Sequence, residues 1–438
     1  MGSPANDTDE PLTPAGRLFL QPEINQVIHC VMGLKNQIDI DAIKSGLCNS
    51  PILKHPRFTS LMVRDSRGFE HWRRTDIDIE SHFVIIDDPV SSAASDESVI
   101  NEYLAGLSID PSSLSTDKPL WEIHLLMAQR RVDDGDDLPM MVSAIRSMSN
   151  GRTRTCWRNL WGFLLMLWFS FIYVLEFTLR SLWLRDRKTP ITGGAGVELW
   201  PRKLATARFC LQDMKVVKAV LAHATINDIL YGIISAGLSR YLDIREPNGL
   251  QDGLQITGLA MVNLREQKEL QDLSHLMRGN SGARWGNKFG VLLLPVYYQR
   301  SNCTDPLEYV KRAKTVMDRK KQSFEALFSY KLGDLVMSYF GSKVASLLNY
   351  RTICNTSFTL SNVVGPKEEI MFYGNPVTFL RASSSSLPHA LTMHMLSYAG
   401  RADMQILVAK DIIPDPEFLA KCFEDALLEM KAQAMAGM

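Results

Sequence analysis

The run Lys118-Pro119-Leu120-Trp121-Glu122-Ile123-His124-Leu125-Leu126 passes through Met127–Arg131 straight into Val132-Asp133-Asp134-Gly135-Asp136-Asp137. From Trp121 onward apolar and polar side chains alternate, the period of a strand with one buried face. The acidic stretch behind it has no periodicity and reads as a loop. Upstream, Arg17–Leu34 and Ile38–Leu47 suggest a strand followed by a helix, with Asp39 or Asp41 as its cap. Downstream, Ser147–Thr155 is a linker, an apolar segment follows, and Gly193–Gly196 is a second linker. A fresh unit then begins: from Asn227 the residues Ile229, Ile233, Ile234, Leu238, Tyr241 and Leu242 fall on one helical face. Ile256–Leu264, Phe289–Val296 and Ser357–Val364 are short apolar runs of the kind that form buried strands. Asp415-Pro416 offers a cap and a first-turn proline for a last helix, whose apolar face runs from Leu419 to Met430. Strands and helices mix without a visible repeat, so the expected class is layered α/β.

Composition narrows the function. The chain has 438 residues, which at about 150 per domain suggests two or three domains. Lys+Arg and Asp+Glu are both 48, so no basic surplus exists to neutralise phosphates, and a nucleic-acid partner is not expected. With 46% hydrophobic and 22% charged residues the chain is globular. The 7 cysteines are scattered and form no CxxC pair, which argues against a zinc site or a disulfide framework and fits a reducing compartment. The polar, acidic start MGSPANDTDEPLTP does not read as a signal peptide.

One segment is not soluble in character. Trp157–Leu184 holds only Arg158, Glu176 and Arg180 as charges and carries Trp157, Trp161, Trp168 and Trp183. Its length and terminal tryptophans suit a membrane. Arg152, Arg154 and Arg158 precede it and Arg180, Arg185, Arg187 and Lys188 follow, so the positive-inside rule gives no orientation. A core helix, a helix lying in or dipping into a membrane surface, and a single span are the open readings.

Familiar hydrolase and nucleotide motifs (GxSxG, HExxH, GxxxxGK[ST], GxGxxG) are absent, and the 9 histidines stand singly. Other phrases carry the signal. PLTPAGRLF (Pro11–Phe19), DIDAIKSGL (Asp39–Leu47), HPRF (His55–Phe58) and KPLWEIHLL (Lys118–Leu126) are followed by ATINDILYGIISAGLSRYL (Ala224–Leu242), GNKFGVLLLP (Gly286–Pro295), SNVVGPKEEI (Ser361–Ile370) and IIPDPEFL (Ile412–Leu419). In this order the chain resembles the plant branch of the wax ester synthase/diacylglycerol acyltransferase family, from about residue 11 to 435.

The resemblance implies a two-domain α/β fold like chloramphenicol acetyltransferase, with the active site in a tunnel between similar halves. It implies transfer of a fatty acyl group from acyl-CoA to a long-chain alcohol or diacylglycerol, with no metal and no cofactor. It divides the chain into a flexible arm (1–15), a truncated N-terminal half (16–150), a linker with the membrane-associating segment 157–184 (151–200), and a C-terminal half (201–438). Pro119, Leu120, Trp121, Asn227, Asp228, Asn287, Asn362, Gly365 and Pro366 match its marks as tunnel or structural residues. Helix capping also accounts for Asn227 and Asp228, and turn chemistry for Asn362–Pro366.

The family's signature, HHxxxDG, supplies the base that takes the acceptor's proton. Here it is missing. Asp134-Gly135 places Gln129 and Arg130 where the histidines belong, and an arginine cannot serve as a base. A lost block of some two dozen residues between Arg131 and Val132 is the simplest explanation, and it leaves the halves unequal. His124, His223, His389 and His394 have structural explanations. The expectation is an impaired acyltransferase on the cytosolic face of the endoplasmic reticulum membrane, or at the plasma membrane. The alternative is a non-catalytic lipid or acyl-CoA binder, or a chain destabilised because losing an inner strand exposes an edge. Because an active site between the halves requires both on one side of the bilayer, the apolar segment is expected in the interface and not across it.

Overall fold

The computed structural model describes residues 9–22, 24–66, 68–86, 96–110, 114–127, 140–145, 160–247, 249–264, 288–300 and 305–437. The expected flexible arm is fixed from its ninth residue. Strand β1 (Glu10–Pro11) pairs with a hairpin, and the Asp9 carboxylate accepts two hydrogen bonds from Arg73, at 3.1 and 2.7 Å. Helix α1 (Pro14–Phe19) follows, with Thr13 as N-cap and proline in its first turn.

The N-terminal sheet starts with β2 (Ile28–Leu34). Helix α2 (Ile40–Cys48) is capped by Asp39, whose side chain accepts from Ala42 N at 2.9 Å, as one of the two expected carboxylates. The hairpin β3 (Ser60–Arg64) and β4 (Glu70–Arg74) pairs with β1 in a small separate sheet. Strand β5 (Phe83–Ile86), helix α3 (Asp96–Ile109), strand β6 (Trp121–Leu126) and strand β7 (Met140–Ile145) complete this part of the sequence. Strand β7 runs antiparallel between β2 and β6, pairing His29 with Ala144 and His124 with Val142. The inner position whose loss was expected to leave an edge is filled: Met140–Ile145 pairs on both sides, which satisfies the facing backbone groups of β2 and β6.

Helix α4 (Leu160–Leu182) carries the apolar segment. The expected linker at Gly193–Gly196 is a pinned turn, where Gly194 N donates to Pro388 O at 2.8 Å and a Cβ on Gly193 would overlap backbone. The C-terminal half then runs β8 (Arg202–Cys210), α5 (Leu211–Ala219), α6 (Ile226–Arg245), β9 (Gln255–Asn263), β10 (Phe289–Tyr297), α7 (Pro306–Lys321), α8 (Glu325–Cys354) and β11 (Phe358–Val364). After β12 (Met371–Phe372) and β13 (Asn375–Ser384) come β14 (Leu391–Tyr398), β15 (Arg401–Ala409) and α9 (Pro416–Ala436). Helix α6 begins one residue before Asn227, capped by Thr225 in a capping box with Asp228. Asp415 stands at the expected cap of α9, but its carboxylate accepts from Tyr241 Oη at 2.7 Å instead of capping.

The large sheets have orders β10-β9-β11-β14-β15-β8 and β12-β13-β2-β7-β6-β5. Two facts follow. A boundary at residue 200 divides the sequence but not the sheets, because β13 leaves the C-terminal half and pairs with β2. And the four-strand runs β8-β15-β14-β11 and β2-β7-β6-β5 share order and direction, so each half repeats the other's topology, a repeat the sequence did not show. In that correspondence β7 takes the place of β15. The C-terminal half sends α9 back over its sheet after β15. Among the described residues no helix does this after β7, because α4 packs against α8 instead.

The larger core lies in the C-terminal half, where α6 and α9 cover the sheet through Ile229, Ile233, Tyr241, Leu419, Phe423 and Met430. The halves meet along a seam in which Val31 and Leu126 touch Leu204 and Leu407, closed by Ile100 and Leu104 of α3. Across it Arg381 donates to Asp403 at 2.8 Å and to Glu97 at 2.7 Å, and the arginine charges hold the Glu97 carboxyl below its ordinary value despite burial.

Candidate functional site

Pro119, Leu120 and Trp121 lead into β6 and are buried. Trp121 faces away from the seam, packed with Leu34, Ile43, Ile123 and Leu125. Its indole N–H donates to Phe58 O at 3.0 Å, and the His82 ring stacks on it with centroids 3.8 Å apart. The triplet is a packing device. By setting the strand's register it turns Glu122 and His124 toward the seam, since neighbours along a strand point to opposite faces.

Asn227, Asp228 and Asn362 do come together. The Asn362 amide donates to Asn227 Oδ1 at 2.6 Å, and Asp228 accepts from Thr225 N at 2.7 Å and from Lys321 at 3.3 Å. Strand alternation places Asn362 with Phe358 and Leu360 on the helix-covered side of the sheet, so this group ties the start of α6 to the end of β11 away from the seam. Gly365 N donates to Ser397 O at 3.0 Å and Ala399 N to Pro366 O at 3.1 Å, and turn chemistry accounts for both residues. Asn287 lies outside the described residues, as do Gln129, Arg130, Asp134, Gly135 and the junction between Arg131 and Val132. The six residues after β7, Arg146-Ser147-Met148-Ser149-Asn150-Gly151, contain no histidine.

Among the histidines, His223 is exposed in a left-handed turn (φ 58). His389 is fully buried between Thr356 and Thr359, whose hydroxyls meet its two ring nitrogens at 2.9 and 2.8 Å, and burial pushes it down to about 3. It is structural. His394 lies within β14, and strand alternation turns its ring into the seam. His29, on β2, does the same and carries no hydrogen-bond partner on either ring nitrogen among the described residues. Burial above all, then neighbouring His124 and His394, lowers His29 to about 4; burial alone takes His394 to about 4. Of the candidates, His124 has the most developed surroundings: its Nε2 meets Glu122 Oε2 at 3.0 Å and its Nδ1 meets the Tyr103 hydroxyl. Neither His29 nor Tyr103 stood out in the sequence. Only the alternation of β2, with His29 and Val31 on one face, pointed that way.

Helix α4 is a continuous element with one face unpacked. Trp168 and Phe171 are 59% and 60% exposed, and Leu167, Ile172, Leu175 and Trp183 continue the stripe. Helix α8, packed beside it, adds Leu335, Tyr339, Phe340, Val344 and Leu347 around a break at Gly341 (φ 82). Single exposed apolar residues need no explanation, but a contiguous two-helix patch does.

The strand orders, the seam between two like halves and the inward histidines define a fold shared with CoA-dependent acyltransferases and condensation domains. The chain superposes on a wax ester synthase/diacylglycerol acyltransferase from Marinobacter aquaeolei VT8 with a TM-score of 0.59 at 14% identity, covering 97% of this chain and 100% of that one. A trichothecene 15-O-acetyltransferase from Fusarium sporotrichioides gives a TM-score of 0.61 at 11% identity, covering 97% and 95%. The family model for the WS/DGAT C-terminal domain matches residues 285–431. Wax ester synthase/diacylglycerol acyltransferase 5 of Arabidopsis thaliana is 33% identical over 482 residues, covering 97% of this chain and 94% of that protein. Number 11 of the same plant is 32% identical, over 98% and 96%. The chain belongs to the wax ester synthase/diacylglycerol acyltransferase family. Because an alignment of 482 residues takes in only 97% of 438, several dozen of its positions are occupied in the relative alone.

Proposed function

We propose that this chain is an acyl-CoA-dependent O-acyltransferase scaffold that binds acyl-CoA and a long-chain alcohol or diacylglycerol at a membrane surface, and turns them over slowly. Family membership supports the reaction class. The slow turnover rests on one observation: none of the 438 residues forms the paired histidines of HHxxxDG. An alcohol is a poor nucleophile toward a thioester until a positioned base takes its proton. A metal or organic cofactor has no part in this reading, and acyl-CoA is a substrate.

The exposed stripe of α4 and α8 supports membrane contact, with Arg185, Arg187 and Lys188 exposed just beyond it. Buried attachment of the end of α4 to the C-terminal half favours a helix lying on the bilayer over one crossing it. The cytosolic face of the endoplasmic reticulum is the proposed site, with the plasma membrane as the other choice. The filled inner position of the N-terminal sheet favours a folded, ligand-binding chain over an unstable one.

Purified chain, hexadecanoyl-CoA and either hexadecanol or a diacylglycerol in vesicles test the reading by ester formation. A variant with the HHxxxDG motif and its helix inserted after Ile145, where the C-terminal half passes from β15 into α9, is expected to be faster by about 10²–10⁴-fold. Equal rates would sink the impairment, and failure of the chain to bind acyl-CoA would sink the scaffold reading.

A further inference from the structure

Strands β6 and β14 hold equivalent places in the two halves, and each carries a histidine at its fourth residue: Trp121-Glu122-Ile123-His124 and Leu391-Thr392-Met393-His394. Both rings point into the seam, where His29 stands near each. Around them lie polar atoms that are buried and unpartnered among the described residues: both nitrogens of His29, Nδ1 of His394, Oγ of Ser383 and Oγ1 of Thr392. Ser383 sits directly opposite His29 on the neighbouring strand. Burying such groups unpaired costs about 1–3 kcal/mol each, so this much unmatched hydrogen-bonding capacity marks a place for a ligand's oxygens.

His124 alone in this group has both nitrogens engaged. With Glu122 accepting from Nε2–H at 3.0 Å, the lone pair of Nδ1 faces Tyr103, which donates its hydroxyl proton. Glu122 is held in place by Lys118 at 2.8 Å, and the pairing with His124 and Lys118 keeps its carboxyl below the usual range despite burial. A carboxylate, an imidazole and a phenol are thus joined in line. Tyr103 is half-buried on α3, at the opposite end of this line from Glu122. Burial and then the Glu122 charge push its phenol up to about 12, so it passes a proton on instead of keeping the negative charge.

We infer that Tyr103, His124 and Glu122 form a proton relay that carries the residual acyl transfer of this chain, with Tyr103 meeting the acceptor hydroxyl. The inference rests on the acyltransferase reading above. The acceptor's O–H proton passes to Tyr103 Oη as the phenolic proton passes to His124 Nδ1. The acceptor oxygen attacks the thioester carbonyl, a C–O bond forms and the C–S bond breaks. The CoA thiolate then takes the proton back through Tyr103, giving ester and CoA thiol with no net change in the protein. Glu122 stabilises the imidazolium in between. Tyr103 is the catalytic residue in this scheme; His124 and Glu122 act through it as positioning residues.

The test uses the full chain with hexadecanoyl-CoA and hexadecanol in phosphatidylcholine vesicles. Tyr103→Phe removes one oxygen and leaves the ring packed, so folding is not at issue. It is expected to lower kcat at least about tenfold with KM unchanged, as loss of proton transfer predicts. His124→Gln should lose as much, and the double variant no more than either alone, because the groups act as a unit. Rates equal to the unsubstituted chain, additive losses in the double variant, or an unsubstituted rate no higher than vesicles without protein would each overturn the relay. Equilibrium dialysis of hexadecanoyl-CoA separates the two claims: binding without relay effects overturns the relay alone, and no binding overturns the acyltransferase reading as well.

Discussion

The Arg180 guanidinium donates to Asp186 Oδ1 at 2.8 Å, in the last turn of the chain's most apolar helix. The same side chain reaches Thr257 Oγ1 at 2.8 Å and Asn355 O at 3.2 Å, while Asp186 also accepts from Thr257 N at 2.6 Å and Ser357 Oγ at 2.7 Å. A buried ion pair is weak evidence of net stability, but removing one partner strands the other charge. The pair's clearer role is geometric: it fixes the end of α4 to β9 and the end of α8, so the helix cannot turn away into a bilayer without breaking it.

Arg180→Ala should therefore destabilise the chain by about 3–5 kcal/mol. Urea unfolding followed by tryptophan fluorescence measures this. A loss below about 1 kcal/mol would mean the guanidinium does not hold α4.

The stripe beside it should govern lipid binding. Trp168→Ser combined with Phe171→Ser removes two large exposed rings, each worth about 1.5–3 kcal/mol when buried. Vesicle co-sedimentation is expected to weaken at least about tenfold, with the melting temperature unchanged. Tyr339→Ser with Phe340→Ser on α8 should have a similar effect. Protease-protection mapping should place residues 100 and 300 on the same face of the vesicle; opposite faces would contradict a surface-lying helix.

Gly365→Ala tests the turn after β11. A Cβ at 365 would overlap the Ser397 carbonyl oxygen, which accepts Gly365 N–H at 3.0 Å. Relief requires moving backbone in β14, at a cost of about 1–3 kcal/mol. A thermal midpoint equal to that of the parent chain would refute the close packing.

Acid should weaken the fold through its buried imidazoles. His29 and His394 are lowered from 6.5 to about 4 and His389 to about 3, chiefly by burial. The unfolded chain therefore binds more protons than the folded one between these values, and stability rises with pH across that window. The stability these neutral rings permit is present above about 6.5 and is lost as pH falls toward 4, by up to about 1.4 kcal/mol per pH unit for each. Urea midpoints at pH 7 and pH 5 measure the slope, and His29→Gln should flatten it.

Much of the architecture was legible in local pattern. Asp39, the apolar face of α6, the runs that became β9, β10 and β11, and Asp415-Pro416 each carry their signal within one or two turns of chain. Ordered phrases such as PLW and NVVGP located the family. What stayed hidden depends on pairing at long range. Nothing in Met140–Ile145 says that it will lie between β2 and β6, because register is a property of partners and not of the strand itself. The same holds for β13, whose partner β2 precedes it by more than three hundred residues. Trp121 and Asn362 were singled out as tunnel or structural residues, but which face each takes was set by packing, and both turn from the seam. His29 and Tyr103 were missed because an isolated histidine or tyrosine in a strand or helix looks ordinary until its neighbours from other elements are known.

The return of β13 to β2 also shapes how the chain must be made. On the ribosome the strands through Ile145 are complete long before Asn375–Ser384 emerges, and in the interval one side of β2 waits with its backbone donors and acceptors unpaired. Such an edge can be captured by another nascent copy. Final closure of the first sheet must therefore await synthesis of the second.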